Sequence, residues 1–425
     1  MKHPLKFPLI LLALLSLAHS ASAQRALPGW LARPDTPADT AGLGRVLARP
    51  DFYRLQVSLV RVRRDAQGRP HLARPLTYRL KPDEYFYPAS TVKLAGAVFA
   101  LEKLERLQRT TPALTADSPM RTDTAFQKQT PAWVDSSADN RRASLGHYIH
   151  KMLIVSDNDA YNRLYEFVGP EELNAGLRRL GLRRARLTHR LSVGDGEPRW
   201  RHTNPLRFFA DTAGRQLVYA QPAAYWPAPR PAPGVEPASM LLGQAYIGGQ
   251  DQRIDKPLDL SDKNVFSLPD LQLLLRAVVL PETVPPGRRP QLSPAGYERL
   301  RLSLSQLPPQ SRSPRYDSLH YPSTYCKFLL GGGGIARLPA GVRVFNKIGQ
   351  AYGFLIDNAY VVDAAHGVEF LLAAVVYVNA DGVLNDDKYD YDKVGFPFLR
   401  DLGSRVYEAE LRRRAPRRPK AIGAN

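Results

Sequence analysis

The pattern of apolar and polar residues predicts strands near both ends of the chain. Residues 54–62 alternate between the two kinds, which is typical of a half-buried strand, and a turn leads from them to a second strand over 71–80. Towards the other end, strand-like segments at 342–347, 354–362 and 368–378 follow one another with short connections. Close spacing of this kind indicates an antiparallel meander.

Helical spacing of apolar residues fills the region between these strands and recurs after them. Helices are predicted over 94–107, 145–155, 161–168, 171–180, 271–280, 293–307 and 389–411. Because strands flank a largely helical middle, the pattern predicts an α+β fold, in which an antiparallel sheet of about five strands is flanked by helices and carries an inserted all-helical domain.

This pattern also predicts where the parts of the domain begin and end. The globular domain is expected over 51–411. Its α/β part would comprise about 51–107 and 341–411, and its helical part about 108–340. Within the helical part, residues 206–266 are rich in proline and show no clear period, which indicates an insertion.

The first 23 residues have the composition of a secretory signal peptide. A basic start with Lys2 and Lys6 precedes an apolar run over 7–17, which is too short to span a bilayer, and small residues at 21–23 allow cleavage before Gln24. The predicted location is therefore periplasmic or secreted. Residues 24–50 would form a leader or a first helix.

Composition and charge indicate how the protein is stabilised and which kinds of partner it could bind. The hydrophobic content of 44% is ample for a core, and a single cysteine, Cys326, excludes an intramolecular disulfide. The net charge is +19, and the arginine- and proline-rich segment 412–425 is predicted to be a disordered tail. That tail is consistent either with weak association with an anionic envelope surface or with a basic composition that has no partner. No stacking aromatic pattern accompanies the basic residues, so no nucleic-acid partner is expected, and nothing indicates an oligomeric state.

The segment from Tyr85 to Lys93 carries the first candidate chemistry. Ser90 and Lys93 are three residues apart at a predicted helix start, so their side chains would lie on one face. A serine hydroxyl needs a neighbouring base to become a nucleophile, and the apolar residues after Lys93 would lower its pKa towards neutrality. The helix N-terminus would help to hold an oxyanion. Alone, such a pair is more often a capping serine and a solvated lysine than a catalytic pair.

Two further short motifs follow along the chain. Ser156, Asp157 and Asn158 come after the predicted 145–155 helix, where they could face a cleft or simply cap the next helix. Lys347 lies on a predicted strand next to Ile348 and Gly349. A strand lysine there could bind a carboxylate and lower the pKa of a neighbouring lysine, and a glycine allows close backbone approach.

Taken together and in this order, Ser-x-x-Lys, Ser-Asp-Asn and Lys-x-Gly resemble the signature of class A β-lactamases and penicillin-binding proteins. The segments that follow Ser156 and Lys347 are also similar to those of class A enzymes. The resemblance covers roughly residues 50–205 and 265–400. It implies the β-lactamase/penicillin-binding fold and a reaction that passes through an acyl-enzyme.

The resemblance implies a role for each matching residue. Ser90 would be the acylated nucleophile, Lys93 its activating base and Ser156 a proton shuttle. Substrate binding would involve four positions, which are Asn158, Lys347, Gly349 and Gln350. Of these, Asn158 would hold the substrate's side-chain amide, Lys347 would attract its carboxylate, and the N–H groups of Ser90 and Gln350 would form the oxyanion hole. The substrate would be a β-lactam or a peptidoglycan peptide, without metal or cofactor.

This sequence departs from the class A pattern in three places. The loop whose glutamate activates the deacylating water has its arginine at Arg190, but Ser192 falls where the glutamate belongs. Glu197 is the best remaining candidate, five residues later. Ile348 replaces the usual threonine or serine, which would leave Lys347 as the main carboxylate anchor and predicts a gain for Ile348→Thr. The third departure is the extra length from 206 to 266, which is expected to flank or roof the cleft.

The expected function is that of a secreted serine hydrolase, with class A-type β-lactam hydrolysis as the leading activity. A cell-wall D,D-peptidase or esterase on the same fold is the alternative enzyme. A sensor that is acylated by penicillin or binds peptidoglycan without turnover is the alternative from another class.

Overall fold

The computed structural model describes residues 42–193, 201–226 and 234–414. The helices in these ranges are α1 Leu43–Ala48, α2 Lys93–Gln108, α3 Leu145–Ile154, α4 Asn158–Val168, α5 Pro170–Arg179, α6 Leu268–Val279, α7 Pro294–Ser305, α8 Phe328–Gly331 and α9 Phe396–Arg414.

The long strands are β1, β13, β14 and β15, and the others are short. Their bounds are β1 Gln56–Arg64, β2 Pro70–Leu72, β3 Leu76–Tyr78, β4 Met120–Thr122, β5 Ala185–Arg186, β6 Leu206–Phe209, β7 Leu217–Gln221, β8 Leu241–Leu242, β9 Ala245–Ile247, β10 Arg253–Ile254, β11 Leu258–Asp259, β12 Val265–Phe266, β13 Arg343–Ala351, β14 Phe354–Asp363, β15 Val368–Tyr377 and β16 Val383–Leu384.

One antiparallel sheet joins the two ends of the chain. Its order is β13-β14-β15-β1-β2, and β3 also pairs with β1. Gln56 of β1 lies opposite Val375 of β15, so the first long strand closes onto the late meander. The predicted α+β fold with a central antiparallel sheet is confirmed.

The sheet is covered on both faces, so its long strands are almost wholly buried. One face packs against α1 and α9, in a cluster that includes Leu43, Val361 and Leu402. The other packs against the helical region, where α2 and α6 supply many of the apolar side chains. Apolar side chains removed from water on both faces are the main stabilising contribution to such a layered fold.

The inserted region was predicted to be all-helical, which is wrong, because it contains strands as well as helices. β4, β6 and β7 form a three-stranded sheet, and β9 pairs with β10 and, in parallel, with β16. Much of this β-structure falls in 206–266, where no period was recognised. Strands of two to five residues are too short to show an alternation, so only their pairing defines them.

Several element boundaries also differ from the sequence prediction. The last helix begins at Phe396 after a π-turn over Tyr391–Gly395, and it continues through Arg414. The proposed signal peptide lies outside the described residues, as does most of the proposed tail. The described part of the chain contains no helix that is both long and apolar enough to cross a membrane.

Candidate active site

Ser90 lies on a tight turn that leads directly into a helix. Residues Ala89–Val92 form a 3₁₀ turn, and α2 begins at Lys93. The Thr91 hydroxyl donates to the Pro88 carbonyl over 2.6 Å, and Ala89 has a φ of +47°, a sparsely populated conformation for a residue with a side chain. The turn holds the Ser90 Oγ 2.9 Å from the Lys93 Nζ.

The Lys93 side chain is completely buried among polar acceptors. Its Nζ lies 3.1 Å from the Ser156 Oγ and 2.7 Å from the Asn158 Oδ1, and it also bonds the Ser156 carbonyl. Burial, reinforced by the nearby positive charge of Lys347, holds the pKa of the Lys93 amine well below its usual range. A lysine whose pKa is lowered in this way loses its own proton more readily and can then accept the Ser90 proton.

Residues 156–158 both cap the next helix and turn side chains towards the cleft, the two alternatives that the sequence left open. The Asp157 side chain caps α4 by accepting from the Ala160 N–H over 2.8 Å. Ser156, with a φ of +64°, and Asn158 turn their side chains towards Lys93. The cap therefore fixes the start of α4, and the two flanking residues contact Lys93.

Lys347 reaches the same point from the central sheet. Its Nζ lies 2.9 Å from the Ser156 Oγ and donates to the Ile348 carbonyl over 3.1 Å. Burial lowers the pKa of Lys347 to about 8. The Ser156 hydroxyl thus lies within hydrogen-bonding distance of two lysine amines, which suits it to pass a proton between the nucleophile and a leaving group.

Gly349 lets β13 approach the turn Ala89–Val92, which carries Ser90 and is called the nucleophile turn below. A Cβ at this position would lie 2.7 Å from the Pro88 carbonyl oxygen and 3.3 Å from the Ala89 Cβ. The next residue, Gln350, lines the cleft beside Ser90. The close approach of backbone described for this glycine is therefore observed, and it brings the strand edge next to the nucleophile.

A second buried polar group, not recognised in the sequence, lies behind β13. Lys327 donates to the Asn346 Oδ1 over 2.6 Å, and the Asn346 amide donates to the Asp357 carboxylate over 2.7 Å. Burial lowers the pKa of Lys327 to about 8 and raises that of Asp357 to about 6. The sequence feature that could have indicated this network is an asparagine and an aspartate within largely apolar strands, because buried polar groups require hydrogen-bond partners.

One face of α4 holds the loop that crosses the cleft. Asn162 exchanges two hydrogen bonds with the backbone of Leu191, at 2.9 and 2.8 Å, and the buried Glu166 pairs with Arg190 at 2.6 Å. Asn158, Asn162 and Glu166 are spaced by four residues, so they share a helix face. This spacing could have identified the loop's anchor from the sequence.

The cleft in front of Ser90 has a volume of about 420 Å³. Its lining comprises Tyr87, Ala89, Ser90, Asn158, Leu191, Ser192, Gln350, Ala351, Tyr352, Asn385, Asp387, Tyr389 and Tyr391. Ser192, which occupies the expected position of the class A glutamate, accepts from the Asn158 amide over 3.0 Å. Glu197 lies outside the described residues. Within the described ranges, no group of three or more histidine, cysteine, aspartate or glutamate side chains is arranged to hold a metal ion.

Ile348 does not line this cleft. It is only 6% exposed and belongs to the apolar cluster beneath α9, on the opposite face of β13 from Lys347. The predicted gain for Ile348→Thr is therefore not supported by its surroundings.

Ile348→Thr is now expected to destabilise the fold without improving acylation. Placing a hydroxyl among apolar side chains costs about 1–3 kcal/mol in protein mutants, so urea unfolding should show a corresponding loss. Ile348→Val, which keeps the site apolar, should cost about 0.5–1.5 kcal/mol. Faster acylation in Ile348→Thr would contradict this account.

Comparisons with known proteins point to one enzyme family over part of the chain. A model of the beta-lactamase enzyme family matches residues 71–220, a span that includes Ser90, Lys93 and the 156–158 segment. A search of curated proteins found no match.

Solved structures similar to this chain include three bacterial β-lactamases. The β-lactamase of Sphaerobacter thermophilus is 14% identical, with a TM-score of 0.47 over 86% of this chain and 94% of its own. The class A β-lactamase of Clostridium kluyveri is 14% identical, with a TM-score of 0.46 over 86% and 97%. The enzyme of Burkholderia phymatum is 16% identical, with a TM-score of 0.46 over 88% and 100%. The family match to residues 71–220 agrees with the resemblance seen in the motifs, which is to β-lactamase-like serine hydrolases.

Proposed function

We propose that this protein is a secreted class A-type enzyme whose Ser90 is acylated by β-lactams. Neutral Lys93 takes the Ser90 proton as the Oγ attacks the lactam carbonyl carbon. The C–N bond of the ring then breaks, and Ser156 passes a proton to the leaving nitrogen. A water molecule would hydrolyse the resulting ester and restore Ser90.

The observation that carries this proposal is the position of Lys93. Its buried amine lies 2.9 Å from the Ser90 hydroxyl and 3.1 Å from the Ser156 hydroxyl, so one base contacts both the nucleophile and the proton shuttle. Lys347, 2.9 Å from Ser156, adds the positive charge that would attract a substrate carboxylate.

Intact-mass analysis after mixing with benzylpenicillin tests the proposal directly. The wild type should gain the mass of one penicillin, and Ser90→Ala should gain none. Circular dichroism should confirm that the variant is folded. An adduct that survives the substitution would assign the nucleophile to another residue. A wild type that neither gains an adduct nor consumes the penicillin would reject β-lactams as substrates.

A second candidate function, acylation without efficient turnover, is favoured by the lining of the cleft. Its only carboxylate among the described residues is Asp387, and the position expected for the class A glutamate holds Ser192. A penicillin-binding D,D-peptidase or sensor would retain the acyl group for longer. The choice depends on whether Glu197 acts on the deacylating water.

Glu197→Gln tests that choice. If Glu197 is the base, the wild type should turn over a chromogenic cephalosporin continuously, and the variant should stop after a burst of one equivalent. If it is not, the wild type itself should show the burst and slow turnover. Fast turnover in both proteins would contradict both versions. Stopped-flow absorbance distinguishes the three outcomes, with Glu236→Gln as a distant control.

The pH dependence of acylation should depend on the charge of Lys347. That charge favours the neutral form of Lys93, so Lys347→Met should raise the pKa of Lys93 and move the acidic limb of the profile to higher pH. The wild type should lose activity on the alkaline side near pH 8, where Lys347 loses its proton, and the variant should lack that limb.

Second-order acylation rates across the pH range measure both limbs of the profile. Lys347→Arg, which keeps the charge, should retain the wild-type acidic limb. An acidic limb that does not move in Lys347→Met would show that Lys347 does not influence Lys93.

We also propose export, on the basis of the N-terminal composition. N-terminal sequencing of the protein recovered from the periplasm or medium should begin at Gln24. Recovery only of a cytoplasmic protein beginning at Met1 would reject export.

A further inference from the structure

One wall of the cleft is aromatic. Tyr389 and Tyr391 come from the connection between β15 and α9, and their ring centroids are 5.2 Å apart. Tyr87 and Tyr352 line the neighbouring wall as an edge-to-face pair 4.9 Å apart. Four tyrosines therefore surround the space next to Ser90.

The tyrosines of the connection are held through their hydroxyl groups. The Tyr391 hydroxyl accepts from the Gly353 N–H over 2.8 Å, and the Tyr389 hydroxyl accepts from the Asn385 N–H over 2.9 Å. These hydrogen bonds fix the hydroxyl ends of the two rings, so the aromatic faces and edges are held in place beside the cleft. The negative face of such a ring attracts a cation.

The charge on this wall has the opposite sign to that of the whole protein. Asp387 is exposed, lines the cleft and makes no ion pair with any described residue. No arginine or lysine is among the lining residues, although the chain carries a net charge of +19. Lys93 and Lys347 lie deeper and are hydrogen-bonded to the catalytic groups. The mouth of the cleft is thus both aromatic and negatively charged.

The 206–266 insertion supports this wall. β9 of the insertion pairs in parallel with β16 of the connection, and the Gln244 side-chain amide donates to the Asp381 carbonyl over 2.8 Å. The Gln244 N–H donates to the Gly382 carbonyl, also over 2.8 Å. The extra chain length therefore holds the tyrosines and Asp387 in place next to the nucleophile.

We propose that this wall is a subsite for the substrate's acyl side chain and selects a side chain that carries a protonated primary amine beside an aryl group. The amine would lie between the Asp387 carboxylate and the tyrosine rings, and the aryl group would pack against those rings. This proposal rests on the proposed function, because it concerns the same acylation of Ser90. It goes further by specifying the chemistry that the substrate presents to the cleft mouth.

Ampicillin and benzylpenicillin provide a matched pair of probes, because they differ only by the amino group on the side chain. Second-order rates of acylation, followed by intact mass at pH 6, give a ratio for the two compounds. The wild type should prefer ampicillin by about threefold to tenfold, as expected for an exposed cation–π contact combined with one carboxylate. In Asp387→Asn the ratio should fall towards one.

Two further variants separate the subsite from general effects of charge and folding. Asp392→Asn removes the same charge from an exposed residue outside the cleft lining, and it should keep the wild-type ratio. Tyr389→Phe keeps the ring and should keep the ratio, whereas Tyr389→Leu should lower it. A wild-type ratio of one or less, or a preference that survives Asp387→Asn, would overturn the subsite. Absence of acylation by both penicillins would instead overturn the proposed function on which the subsite rests.

Discussion

Replacing Lys93 by methionine should slow acylation of Ser90 by at least about 10²-fold, the smallest effect usual for the loss of a general base. The amine is the only basic group within hydrogen-bonding distance of the Ser90 hydroxyl among the described residues. Methionine has a similar length and fills the buried space, but it cannot accept a proton. Second-order acylation rates with a chromogenic cephalosporin, measured by stopped flow, would give the effect.

Lys103→Met is the matched control for this experiment. Lys103 lies on the same helix, is partly buried, and has a pKa lowered to about 8, mainly by burial. Its amine bonds the Phe167 carbonyl and, over 2.9 Å, the Gln221 side chain, which lie outside the cleft lining. This variant should lose stability but keep its acylation rate. Equal loss of acylation in both variants would show that Lys93 acts through folding rather than as a base.

Gly349→Ala should reduce acylation by about 10²-fold while the protein remains folded. The added Cβ would lie 2.7 Å from the Pro88 carbonyl oxygen, closer than real Cβ contacts, and it would meet the Thr91 Cγ2 at 3.1 Å. The Pro88 carbonyl already accepts two bonds from Thr91, so it cannot move away without disturbing the nucleophile turn. The strand must shift instead, and a displacement of about 1 Å at a reacting group can cost about 10²-fold.

Gly287→Ala provides the comparison for Gly349→Ala. Nothing lies within 4 Å of a Cβ at Gly287, and its φ is not in the left-handed region, so both acylation and stability should be retained. For Gly349→Ala, acylation rates and urea unfolding should be measured together. A normal acylation rate would mean that β13 does not contribute to holding the reacting carbonyl.

Local pattern was sufficient for the main elements of the fold. Apolar alternation predicted β1, the close spacing of strand-like segments predicted the three late strands, and helical spacing predicted α3 and α6 within a few residues. These elements are long enough for their periods to be visible. The short strands of the insertion were not predicted, because a two-residue strand such as β16 exists only through its pairing with β9.

The candidate site also contains residues that local sequence could identify and residues that only the folded structure brings together. Lys93 was recognisable because it and Ser90 are neighbours on one turn, and helix geometry alone brings them together. The Lys327, Asn346 and Asp357 network was not recognised, since its members are distant in sequence and meet only when β13 pairs with β14. The sequence placed Ile348 in the substrate site because a motif does not state which face of a strand is buried.

The sequence by itself indicated the order of the long elements, the pairing of Ser90 with Lys93, and the motifs that resemble those of β-lactamase-like serine hydrolases. These features depend on neighbours along the chain, whose relative positions follow from backbone geometry. Only the tertiary structure decided that Ser156 lies between two buried lysines, that Gly349 admits the strand to the nucleophile turn, and that the insertion supports an aromatic, acidic wall. Each of these joins segments far apart in sequence, and packing of the whole core sets the distances between them.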